Sequence, residues 1–208
     1  MIRTMFAGAA LFLVPLSSVM AEKNVTIQPL AGSLGDAVAS VTFDEPLAKP
    51  ISAVKGDWKV VDGVLMGKEL ASDEHAAVLN YQLENTDSVV RFSFKFDDNT
   101  NGAQFSMNHA KGHLFRVIVT KAGVSVNLDK DKSDPTSKAK KLGSANVPFK
   151  TGQWYTMQIE MRGDRVVVQT DNDTMVDVSD AKLKTTKPSY RWVMKGNSLA
   201  IDDLIIWK

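Results

Sequence analysis

Ser88-Val89-Val90-Arg91-Phe92-Ser93-Phe94-Lys95-Phe96 is the stretch on which the fold turns. Val90, Phe92, Phe94 and Phe96 alternate with Arg91, Ser93 and Lys95. Successive side chains of an extended chain point to opposite faces, so this period predicts a strand with one apolar and one polar face. The same period recurs downstream. Ala103, Phe105 and Met107 alternate with Gln104, Ser106 and Asn108. Val124, Val126 and Leu128 alternate with Ser125, Asn127 and Asp129. Tyr155, Met157, Ile159 and Met161 alternate with Thr156, Gln158 and Glu160, and Val166 and Val168 repeat the pattern. Between these runs stand Asp62-Gly63, Asn101-Gly102, Ala122-Gly123, Arg162-Gly163-Asp164 and Gly196-Asn197. Such pairs mark tight turns, because glycine and asparagine tolerate positive φ. No segment carries an amphipathic helical stripe. Many short strands with regular turns predict an all-β protein, an antiparallel β-sandwich of the jelly-roll type, over residues 38–208. Residues 22–37 are polar and glycine-rich without a steady period, and read as a flexible leader. Residues 129–141 read as one exposed loop.

The first residues have a different character. Arg3 precedes an apolar run, and Val19-Met20-Ala21 supplies small residues at its exit. That is the pattern of a secretory signal peptide over residues 1–21, cleaved near Ala21. The run falls short of the roughly 20 residues a membrane span needs, and Pro15 interrupts it. With no cysteine in the chain, a lipid anchor on cysteine, disulfides and zinc–sulfur sites are all excluded. The expectation is an exported protein, periplasmic or extracellular, with no span in its mature form. Its 25 basic and 24 acidic residues nearly balance, so no field favours nucleic acid or an anionic membrane.

Asn108-His109-Ala110-Lys111-Gly112-His113 holds two of the three histidines. On a helix they would form a metal-binding pair. Between two period-two strands the segment is instead a hairpin turn, with His109 on the turn and His113 opening the next strand. A metal would need a third ligand, and none can be placed. No metal or cofactor is therefore expected.

Taken as one four-strand meander, Ser88–Asp129 places Arg91, Lys95, Gln104, Asn108, Arg116, Asn127 and Asp129 on a single polar face, with Leu114 and Ile118 among them and His113 at the rim as a further candidate ligand contact. A concave face that mixes arginines, amides, a carboxylate and some apolar surface suits hydroxyl-rich ligands such as sugars. The solvent face of any antiparallel sheet has a similar composition. Glycosidic hydrolysis usually needs two carboxylates set across the scissile bond. No strand here carries them in alternation. Asp97-Asp98, Asp171-Asn172-Asp173 and Asp202-Asp203 fall at strand ends or turns. Asp97–Asn101 lacks the twelve-residue calcium loop with its terminal glutamate. The chain has no G-x-S-x-G, phosphate loop, dinucleotide fingerprint or H-E-x-x-H. The four tryptophans, Trp58, Trp154, Trp192 and Trp207, suit either sugar stacking or a core.

Three segments carry a resemblance. Gly56-Asp57-Trp58-Lys59-Val60-Val61-Asp62-Gly63-Val64-Leu65 resembles the opening of secreted laminin-G-like, concanavalin A-like domains. Gly152-Gln153-Trp154-Tyr155-Thr156-Met157-Gln158-Ile159-Glu160, with Arg162-Gly163-Asp164, resembles their strand pair, and Ala200-Ile201-Asp202-Asp203-Leu204 their closing strand. Over about residues 41–207 the chain is similar to the bacterial 3-keto-disaccharide hydrolase-like domain family. That likeness implies an exported jelly roll that binds or processes carbohydrate. It also implies an acidic residue and an amide in a middle strand, where this chain has Phe115-Arg116-Val117-Ile118. Three functions follow as expectations: a carbohydrate-binding or carbohydrate-processing face, a 3-keto-glycoside hydrolase with His113 or Asp129 as base, and a non-catalytic cell-envelope module. Oligomeric state is not legible.

Overall fold

A computed structural model describes residues 25–208, so the expected signal peptide lies outside the described residues. Fifteen strands follow in order: β1 (Ala37–Val41), β2 (Ile51–Lys55), β3 (Asp57–Val61), β4 (Val64–Lys68), β5 (Ala77–Tyr81), β6 (Ser88–Phe96), β7 (Thr100–His109) and β8 (Gly112–Thr120). The series continues with β9 (Gly123–Leu128), β10 (Lys140–Ala145), β11 (Trp154–Arg162), β12 (Arg165–Thr170), β13 (Met175–Ser179), β14 (Tyr190–Gly196) and β15 (Leu199–Trp207). Among the described residues the only helical elements are short 3-10 turns at Ala71–Asp73 and Ala181–Leu183.

The strands form two antiparallel sheets packed face to face. The first runs β13-β12-β11-β6-β15-β4-β3, with β1 also pairing β15. The second runs β10-β9-β8-β7-β14-β5-β2. The alternation read from sequence chooses the inner faces. Phe92, Phe94 and Phe96 from β6 meet Phe105 from β7 and Trp192 from β14 in one core, with Phe149 and Tyr155 closing it. Phe94 is 2% exposed, and burying a side chain of that size is worth roughly 1.5–3 kcal/mol.

One expectation fails in an instructive way. Ser88–Asp129 is not a single meander. β6 pairs with β11 and β15 in the first sheet, while β7, β8 and β9 pair with one another in the second. The short turn at residues 97–99 carries the chain from one sheet to the other. A turn reverses the chain, but the strand's partners are chosen by distant pairing, here with residues 154–161 and 199–207.

Asp202-Asp203 also differs from expectation. It lies within β15 rather than before it, at a register shift between Asp202 and Ile205, and Asp203 has φ 50. The pair makes a bulge, where β15 carries one residue more than β6 across the same span. The expected loop at 129–141 ends two residues sooner, because Lys140 and Lys141 open β10; within it Asp131 and Asp134 accept from the backbone N–H groups of Ser133 and Thr136.

Residues 25–36 form no regular element, yet they are tied to the outer face of the first sheet. Glu160 is fully buried there and accepts from Leu30 N (3.0 Å) and Ala31 N (2.8 Å). Gln169 donates to Gln28 O (2.9 Å), and Arg162 to Ser33 O (2.7 Å). Asp36 and Lys208 exchange two backbone hydrogen bonds. Val89, Gln158 and Val167, which alternation places on this same outer face, are covered completely.

Candidate functional site

The two outer faces are unlike. The first is crossed by the chain's own N-terminal segment. The second is open, and a polar row runs across it in strand register: Asn127 on β9, Arg116 on β8, Ser106 on β7, Arg191 on β14 and Asn80 on β5. Two residues along the strands, Ile118, Gln104 and Val193 make a second row with more apolar character.

A bulge completes the polar row. Phe115 faces the core, so strict alternation would turn His113 inward too. The register shifts between Met107 and Asn108, which pair with Phe115 and His113, leaving Leu114 as the extra residue. The shift brings His113 beside Asn108 on the outer face, a common use of bulges. His113 Nδ1 lies 3.0 Å from Asn108 Oδ1. Arg191 Nη1 also donates to that oxygen, at 3.4 Å. Two donors converge on one carbonyl oxygen, so Nδ1 carries the imidazole proton and the neutral ring has its lone pair on Nε2.

Electrostatics set the protonation. Burial and the Arg116 charge pull the His113 pKa below its ordinary value, with Arg191 and Lys132 adding to the effect and Asp129 opposing it. His113 is therefore neutral at neutral pH. Arg116 Nε donates to Asp129 Oδ2 at 3.0 Å. A cavity of about 210 Å³ opens at this end of the face, lined by His109, His113, Leu114, Asp129, Lys182 and Thr185.

The eight residues read from sequence thus divide between two faces. Gln104, Asn108, His113, Arg116, Asn127 and Asp129 share the outer face of the second sheet. Arg91 and Lys95 do not belong with them. Because β6 lies in the first sheet, they sit on the opposite side of the sandwich, Arg91 over the Trp207 ring and Lys95 over the Trp154 ring, each 4.9 Å from the centroid. Trp58 and Trp192 are core residues. No tryptophan among the described residues lies on the open face. Sequence reasoning missed Arg191 and Asn80. Arg191 stands between Tyr190 and Trp192, and that alternation could have marked it. Nothing local could have placed it beside Asn108.

Among the described residues no group of three or more His, Cys, Asp or Glu side chains could hold a metal ion. None of their helices is long and apolar enough to cross a membrane.

Comparison with known proteins adds the family. The model of the 3-keto-alpha-glucoside-1,2-lyase-like domain matches residues 48–201. No curated protein matches the chain. Among solved structures, carbohydrate-binding module CBM66 from Bacillus subtilis superposes with TM-score 0.61 at 13% identity, covering 76% of this chain and 95% of the module. SCLam, a non-specific endo-beta-1,3(4)-glucanase of family GH16, gives 0.62 at 10% identity, over 86% and 93%. LamAcat from Zobellia galactanivorans gives 0.60 at 11%, over 84% and 98%. At these identities the likeness shows the fold alone, a two-sheet jelly roll.

Proposed function

The chain belongs to the 3-keto-alpha-glucoside-1,2-lyase-like domain family, and from that premise we propose that it binds a carbohydrate on the outer face of the second sheet. One observation carries the reading. Arg116, Arg191, Asn108, His113 and Asp129 converge on an open face, while the opposite face is covered by the chain's own N-terminal segment. Arginine forks and amides give directional hydrogen bonds to hydroxyls, and Ile118 offers apolar surface to sugar C–H groups. The names of the structural neighbours, a carbohydrate-binding module and a glucanase, agree with such a ligand. The charged start, apolar run and small-residue exit at Ala21 support export, which would bring the protein to extracellular or periplasmic glycans.

A second reading is catalytic. His113 is held neutral, with Nε2 unprotonated, at the lip of a cavity that Asp129 also lines. A neutral imidazole can remove a proton from a carbon beside a keto group, and Arg116 and Arg191 would stabilise the negative charge that develops on the keto oxygen. This step needs one base rather than two carboxylates.

The test is incubation of the protein with oligosaccharides, polysaccharides and 3-keto glycosides, following retained ligand and released sugar together. Retention without release, lost in Arg116→Ala, is the expected result. Release that disappears in His113→Ala establishes the catalytic reading. Neither retention nor release, with the protein folded, rejects both.

A further inference from the structure

Arg191 is a half-buried cation. Among the described residues no carboxylate pairs with it, its Nε has no hydrogen-bond partner, and its one hydrogen bond is the long one from Nη1 to Asn108 Oδ1. The charge that acts on it is another positive one, Arg116. Both arginines pair in register with Ser106, so they stand two strands apart, about 10 Å. Burial and the Arg116 charge both act against its protonated form and pull its pKa down. Asn80, directly opposite on β5, has a buried Oδ1 that also lacks a partner. Buried polar groups in folded proteins are normally paired, because leaving one unpaired costs as much as a lost hydrogen bond. Here an unpaired donor and an unpaired acceptor come from neighbouring strands just beneath the same open face. Arg116 differs, since Asp129 neutralises it.

We propose that the ligand of this face is an acidic glycan, one carrying carboxylates or sulfates, and that Arg191 selects it. The inference rests on the carbohydrate reading of the same face. A uronate carboxylate and a sulfate ester offer the same chemistry: acceptor oxygens on a delocalised anion, which a planar guanidinium fork matches better than any neutral hydroxyl does. The anion would meet the part of the Arg191 guanidinium that reaches the open face and offset the repulsion from Arg116. Specificity would arise because a neutral sugar leaves the arginine charge uncompensated.

Matched polymers test this. Polygalacturonate and its carboxyl-reduced form, and a sulfated galactan and its desulfated form, are titrated against the unaltered protein, Arg191→Gln and Arg191→Lys. The unaltered protein is expected to favour at least one acidic polymer over its neutral partner by about tenfold or more, as hydrogen bonds to charged groups imply. Added salt should shrink that preference. Arg191→Gln should erase the preference, so that the acidic and neutral polymers bind alike, and Arg191→Lys should keep part of it. Whichever pair shows the preference identifies carboxylate or sulfate. Equal binding of the acidic and neutral members of both pairs, or a preference that survives in Arg191→Gln, overturns the selection by charge but leaves carbohydrate binding intact. No binding to any polymer overturns the carbohydrate reading itself, and the selection with it.

Discussion

Arg116 Nε donates to Asp129 Oδ2 at 3.0 Å, so a cation and a carboxylate stand side by side on the open face of the second sheet. Their side chains are 33% and 18% exposed, and pairs this accessible contribute about 0–1 kcal/mol to stability. Arg116→Ala and Asp129→Asn should each unfold within about 1 kcal/mol of the unaltered protein in urea. Both should still weaken retention on a glycan column. A large loss of stability in either would mean that the pair holds the fold rather than a ligand.

Glu160 behaves in the opposite way. Its carboxylate is fully buried and accepts from Leu30 N and Ala31 N, with Gln169 donating at 3.1 Å and Gln158 at 3.3 Å. Hydrogen bonds to charged groups are worth about 1.5–3 kcal/mol each, so Glu160→Gln should cost about 2 kcal/mol or more. Hydrogen exchange should speed up at Leu30 and Ala31 before the rest of the first sheet. Glycan binding should be unaffected, since Glu160 lies on the other side of the sandwich.

The fall in the His113 pKa predicts how stability varies with pH. The unfolded imidazole takes up a proton below about pH 6.5, while the folded one resists until a lower pH. Between those values the unfolded state holds more protons, so stability drops as the pH falls below about 6.5. Denaturation midpoints at pH 7.5 and pH 5.5 should therefore differ less in His113→Gln than in the unaltered protein. An equal difference in both would assign the pH effect to other groups.

Gly67 makes a prediction about the core. A Cβ built there would collide with the Trp58 ring at Cζ3, and that ring is 6% exposed with Nε1 donating to Lys55 O. Gly67→Ala must push the ring aside, at about 1–3 kcal/mol as for other overpacked cores. Tryptophan fluorescence should shift and the urea midpoint fall, with glycan retention unchanged.

The amino acids announced their faces more clearly than their neighbours. Val90, Phe92, Phe94 and Phe96 point inward as alternation requires, and six of the eight site residues share one face. Arg91 and Lys95 were misplaced because a strand's period fixes which side chains point the same way, not which sheet the strand joins. The bulge at Leu114 had no local signal, since a one-residue slip changes facing without changing composition. The segment 25–36 looked structureless because it has no period. What holds it is Glu160, some 130 positions away, and no short window contains both partners.

β15 lies between β6 on one side and β4 and β1 on the other. Its residues 204–207 pair with residues 37–41 at the far end of the described chain. During synthesis, then, the first sheet cannot close until the ribosome has added Trp207. Everything before that point is a set of strands waiting for its centre. Contacts of such long separation slow folding, and translation at roughly 5–20 residues per second leaves the interval open for seconds.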